Sequence, residues 1–118
     1  MGFYIPYGEL SAKAKAADSA ITSLMEELEA VNFYNQRADV AADNTIKEVL
    51  IHNRNEEIEH AVMLFEWLRR NIDKFDEDMR TYLFQKAPIT EIEESATGGA
   101  SSGGTSPAVS LGIGSLRK

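Results

Sequence analysis

Two stretches of helical periodicity meet at a polar break, and each carries ionisable groups at the same distance from that break. Apolar residues recur at helical spacing from about residue 11 to residue 38, and the run 39–44 interrupts them. A second helical stretch continues to about residue 73, with Thr45 or Asn44 able to cap it, Lys47 and Glu48 in its first turn and Arg69 and Arg70 near its end. The pattern predicts an antiparallel helical hairpin. Glu27 precedes Ala42 by fifteen residues and Glu57 follows it by fifteen. At about 1.5 Å per residue both stand roughly 22 Å from the turn, so the two carboxylates are level.

Helical projection places Glu27 on a stripe with Ala20, Leu24, Val31, Tyr34 and Ala38, and no other charge falls on that stripe between Ala16 and Ala38. On the second helix, Glu57 and His60 project with Ile46, Leu50, Leu64, Trp67 and Leu68. Burying an unpaired carboxylate costs several kcal/mol, so three such groups aimed at one dry level require protonation or a cation. A carboxylate-bridged di-iron centre in a four-helix bundle takes a Glu from each of two helices and a Glu-x-x-His from each of the other two. This chain holds each element once, so a whole centre needs two copies. An oxygen-rich donor set with one imidazole per chain suits iron.

Each residue taken singly has a plainer reading. A lone Glu or His on an apolar helix face is usually a hydrogen-bonded core group or an exposed edge residue. The metal reading rests on Glu27, Glu57 and His60 together. Glu56, four residues before His60, could replace Glu57, whose three-residue spacing is preferred. Tyr34 lies seven residues past Glu27, and helical side chains lean towards the N-terminus, so its hydroxyl could reach that carboxylate; a core aromatic is the equal alternative. Glu26 and Glu29 flank the stripe and Glu59 points away from it. They read first as a solvated face, and second, for Glu26 and Glu29, as carboxylates that collect cations and pass them inward.

The 118 residues contain no cysteine, which excludes a disulfide framework, a rubredoxin-type iron site and thiol catalysis. A two-helix unit of this size cannot close a core alone, and partner chains are the ordinary remedy. Nineteen acidic against twelve basic residues give a net charge of −7, and no basic stripe with interleaved aromatics occurs. The balance favours cations over nucleic acid as partners. No stretch approaches the roughly 20 apolar residues of a membrane span, and the first residues lack the pattern of a secretion signal, so a cytoplasmic location is expected.

Composition divides the chain into an arm (1–10), a helical hairpin domain with a short further helix (11–96), a Gly/Ser-rich tether (97–109) and an apolar tip (110–118). The arm holds Phe3, Tyr4, Ile5, Pro6 and Tyr7, too aromatic for a solvated tail, and is expected to pack on a neighbouring chain or in a sheltered groove.

The segments Met25-Glu26-Glu27-Leu28-Glu29-Ala30-Val31, Phe33-Tyr34, Gln36-Arg37, His52-Asn53-Arg54-Asn55-Glu56-Glu57, Glu59-His60-Ala61, Glu66-Trp67-Leu68-Arg69-Arg70 and Arg80-Thr81-Tyr82-Leu83-Phe84 resemble an encapsulated ferritin over about residues 21–94. The resemblance implies an all-α, ferritin-like two-helix protomer. Its dimers rebuild the four-helix site, and five dimers form a decameric ring. It also implies ferroxidase ligands Glu27, Glu57 and His60 from each of two chains, with Tyr34 beside them, and metal-entry carboxylates at Glu26 and Glu29. Phe33 stands where relatives carry Trp, which removes an indole N–H from that position. The arm is unlike the family's.

The tip carries Leu111, Ile113 and Leu116, separated by glycines. It resembles the targeting peptide by which cargo docks into an encapsulin shell, the glycines letting the backbone lie close to a groove while the aliphatics fill pockets. The expected activity is oxidation of ferrous to ferric iron at a di-iron centre with dioxygen as acceptor, the product being stored in the surrounding encapsulin nanocompartment. Two alternatives stand beside it. One is a non-catalytic helical adaptor recruited to a shell; the other is a different di-iron oxidase or a peroxidase of the rubrerythrin kind, which the absence of cysteine disfavours.

Overall fold

The computed structural model describes residues 3–101. They form a short 3-10 turn, Tyr7–Glu9, followed by four α-helices: α1 (Ala12–Val40), α2 (Asn44–Asn71), α3 (Asp73–Tyr82) and α4 (Ile89–Ser101). No strand occurs among the described residues, and no helix there is long and apolar enough to cross a membrane. The chain separates into two units, Met1–Leu68 and Arg69–Lys118.

In the first unit α1 begins where Ser11 turns its hydroxyl onto the helix: Oγ accepts from Ala14 N at 3.0 Å. The preceding arm folds on itself and towards that first turn. Phe3 meets Tyr7 edge-on with centroids 5.2 Å apart, and Lys15 Nζ lies 4.6 Å above the Tyr7 ring. Phe3, Tyr4, Ile5 and Tyr7 nevertheless remain half or more exposed.

The polar break is tighter than its composition suggested, because α1 continues to Val40 and only residues 41–43 connect it to α2. Asp43, and not Thr45 or Asn44, caps α2. Its Oδ1 accepts from Thr45 N at 2.8 Å and from Ile46 N at 3.1 Å, as well as from the Thr45 hydroxyl. A side chain immediately before the helix is the one that can reach back to the second and third free amides. Bonding to Thr45 and Ile46 holds the Asp43 carboxyl below the usual carboxylate range.

α1 and α2 make the hairpin. The residues removed from solvent are Ala20, Leu24 and Ala38 on α1 and Ala61 and Leu68 on α2, with Leu68 wholly covered. Three of the five are alanines, which suits close approach of two backbones. Arg54 Nη1 donates across the pair to Asn35 Oδ1 at 3.0 Å. Many other apolar side chains of the hairpin stay open, among them Met25, Leu28, Phe33, Val49, Val62 and Met63, as expected of a single two-helix layer.

In the second unit, α3 starts after Ile72, which is extended, and Asp76 receives Arg80 Nε at 3.0 Å and also pairs with Arg69. Leu83 closes α3 through its amide to Met79 O, and Phe84 follows in the left-handed region at φ 62. α4 carries helical backbone through residues 97–101, the start of the stretch that composition assigned to a tether. The remainder of that stretch and the apolar tip with Leu111, Ile113 and Leu116 lie outside the described residues.

Candidate metal centre

Glu27 comes from the middle of α1, and Glu57 and His60 come from successive turns of α2. Ligand atoms from the three all lie within 4.8 Å of one another. His60 Nδ1 is 3.1 Å from Glu57 Oε1 and 3.6 Å from Glu27 Oε2. The i, i+3 spacing puts Glu57 and His60 on one face of α2, and the hairpin brings Glu27 to the same height.

The group is not the dry interior level that helical projection predicted. In the single chain the two carboxylate side chains keep about a quarter of their exposure, 25% each, and His60 keeps 42%. A wheel projection identifies a face without saying whether anything covers it, and one hairpin offers cover from one side only.

The three groups shift one another's proton affinity. Hydrogen bonding with Glu57 is the main cause that lifts the Glu27 carboxyl above its ordinary range, aided by burial and by the Glu57 charge, against a smaller opposing pull from His60. Glu57 is lowered, chiefly because Glu27 bonds to its charged form. Burial disfavours the charged His60 imidazole, but bonding to Glu57 and the charges of Glu27, Glu57 and Glu56 outweigh it, and the net shift is upward. Glu27 and His60 thus hold their protons more firmly than usual and Glu57 less so, in the place where a divalent cation would satisfy the same lone pairs. The donor set fits a hard to borderline cation such as iron.

The other residues singled out by sequence are not part of this close group. Glu26 and Glu29 are exposed on α1, Glu59 and Glu56 are exposed on α2, and Tyr34 is half-buried on α1. Glu57, not Glu56, belongs to the close group. Sequence reasoning overlooked the Asn35–Arg54 bridge; its only signal is an arginine with no acidic residue four positions away on its own helix to hold it.

The EncFtn-like family profile matches residues 2–86, so the arm, read from sequence as unlike the family's, falls within the family match. A ferritin-like protein of Thermotoga maritima is 50% identical over 102 residues, spanning 86% of this chain and 90% of that protein. An encapsulated ferritin-like protein of Rhodospirillum rubrum is 52% identical over 105 residues, spanning 83% of this chain and 75% of that protein. A crystal structure of a Nitrosomonas europaea protein superposes with a TM-score of 0.73 at 48% identity, covering 75% of this chain and 98% of that one. The two-helix body, the level Glu/Glu-x-x-His group and these similarities agree, and the chain belongs to the EncFtn-like family of encapsulated ferritin-like proteins.

Proposed function

We propose that this protein is a ferroxidase whose substrate is ferrous iron, and that its working centre is a di-iron site formed when two copies bring their Glu27, Glu57 and His60 together. The observation that carries the reading is the convergence of those three side chains within 4.8 Å in one chain. It is half of the ligand set that a carboxylate-bridged pair of irons takes in a four-helix bundle. The open side of the cluster is where a second hairpin would complete both the core and the coordination.

The chain's own contributions follow from its chemistry. The carboxylates of Glu27 and Glu57 supply hard anionic oxygen, which favours the ferric over the ferrous state. His60 gives one neutral nitrogen per chain once its proton has left. Without metal, His60 Nδ1 lies 3.1 Å from Glu57 Oε1, and this contact holds the imidazole beside the site. In this reading half-buried Tyr34 on α1 acts beside the centre, and exposed Glu26 and Glu29 gather cations ahead of it. Each iron gives up one electron, and dioxygen receives them. A ring of dimers has no closed cavity, so the ferric product is stored in an encapsulin shell to which Leu111, Ile113 and Leu116 tether the protein.

Aerobic ferrous oxidation by the purified full chain tests this, compared with Glu57→Ala and His60→Ala. Both variants are expected to lose most of the rate, and unchanged rates would refute the assignment. For the tether, a chain cut after residue 109 is co-expressed with a shell protein; encapsulation equal to that of the full chain would remove the tip from the scheme.

A further inference from the structure

A second polar hollow lies nearer the turn of the hairpin, in the same unit as the metal cluster but formed by different residues. It measures about 500 Å³ and is lined by Asn35, Gln36 and Asp39 from α1 and by Lys47, Ile51 and Arg54 from α2. That volume is within the range of small-molecule sites. What sets it apart in a chain of net charge −7 is that it gathers two cations. Among the described residues, neither Lys47 nor Arg54 is paired with a carboxylate.

The Arg54 guanidinium is held in place by neutral groups. Nη1 donates to Asn35 Oδ1 at 3.0 Å, while Nε and Nη2 both donate to Asn55 Oδ1 at 3.2 and 3.0 Å. Three of its five N–H groups are thereby used and two remain, with the full positive charge uncompensated. A guanidinium oriented in advance loses little freedom when it binds an oxyanion, and such charge-assisted bonds are the stronger kind. Lys47 lies seven residues earlier on α2, on the same face, and adds a second cation. The amide of Asn35, whose oxygen is taken by Arg54, still has its N–H₂ to donate.

Asp39 is the one carboxylate in the hollow and repels a bare anion. It accepts a hydrogen bond readily, so it selects among anions instead of excluding them all. We propose that this hollow binds a small oxyanion that carries its own O–H group, the anionic oxygens on Arg54 and Lys47 and the hydroxyl donating to Asp39. Hydrogen phosphate and hydroxycarboxylates share that chemistry. Sulfate and non-hydroxylated carboxylates of the same size do not, because at neutral pH they bring only acceptors.

The test follows amide shifts of the full chain by NMR during separate titrations with inorganic phosphate, citrate, sulfate and tricarballylate at constant ionic strength. Phosphate or citrate is expected to move amides around residues 35–39 and 47–54, with a Kd on the order of a millimolar. Each is expected to bind at least about tenfold more tightly than its partner without the hydroxyl. Whichever of the two saturates at lower concentration identifies the source of the oxyanion. Lys47→Ala leaves the Arg54 bridge intact and should weaken binding about tenfold, as should Arg54→Gln; Asp39→Asn should erase the preference over sulfate. Absence of local shifts at tens of millimolar phosphate and citrate would overturn the proposal, as would equal binding of sulfate or a Kd unchanged by Lys47→Ala.

Discussion

His60 Nδ1 on α2 stands 3.6 Å from Glu27 Oε2 on α1, a contact between groups carried by different helices whose separation is set by the hairpin alone. Glu57 Oε1, at 3.1 Å from the same nitrogen, completes the group. Three donors this close form a chelating face that any divalent cation of suitable size can test, independently of turnover. Cobalt(II) is a convenient probe, and its titration is expected to give a visible ligand-field spectrum with the native chain. His60→Ala should lower the affinity at least about tenfold, since loss of even an outer partner of a metal ligand costs that much. Equal cobalt affinity in the variant would mean that the nitrogen is not a ligand.

The same crowding predicts a conflict between stability and metal binding at Glu27. Its carboxyl is raised, first by the hydrogen bond with Glu57 and then by burial. A raised carboxyl contributes stability that is present below the unfolded-state value and lost as pH rises through the folded value. At neutral pH, metal-free protein therefore bears the cost of ionising Glu27 beside Glu57. Glu27→Gln keeps a donor for Glu57 and removes that cost. The metal-free variant should melt at a higher temperature than native protein at pH 7, and the advantage should shrink towards pH 4. A lower melting temperature at pH 7 would show that Glu27 is not held in an unfavourable charge state.

Much of this site was legible because it follows from counting. The equal distances of Glu27 and Glu57 from the turn, and the three-residue step from Glu57 to His60, depend only on helical rise and periodicity, and the structure brings all three together. What counting missed depends on contacts. The cap of α2 went to Asp43 because three adjacent polar residues offer similar chemistry, and only backbone geometry decides among them. The partial exposure of the cluster was hidden because periodicity marks a face but not what covers it. The break between α2 and α3 at Ile72 has no glycine or proline to announce it.

Asp43 is worth isolating, since one carboxylate satisfies two free amides at the start of the helix that presents Glu57 and His60. Asp43→Ala should lower the melting temperature by a few degrees, the ordinary consequence of losing a cap, while Asp43→Asn should retain most of the stability. Hydrogen exchange offers the local measurement: the amides of Thr45 and Ile46 should lose protection first. Unchanged exchange there would assign the cap to another group.

The junction of α2 and α3 makes a prediction with a defined pH window. Hydrogen bonds from Arg80 are the largest cause holding the Asp76 carboxyl below its usual range; burial opposes them, and Arg69 adds a second bond from the end of α2. A depressed carboxyl contributes stability that is present above the unfolded-state value, 3.8, and lost as pH falls through the folded value. Asp76 is about a third exposed and Arg80 more than half, so solvent limits the contribution to about 0.5–1 kcal/mol. Urea unfolding at pH 7 should find Asp76→Asn less stable than native protein by that amount. The gap should narrow once the pH drops below the unfolded-state value, because the unfolded chain then takes up a proton that native Asp76, with its lowered carboxyl, still resists. It should also diminish in high salt, where exposed ion pairs are screened. A gap that persisted unchanged at pH 3 would show that the substitution acts through packing, and that the arginine pair does not hold α3 by charge.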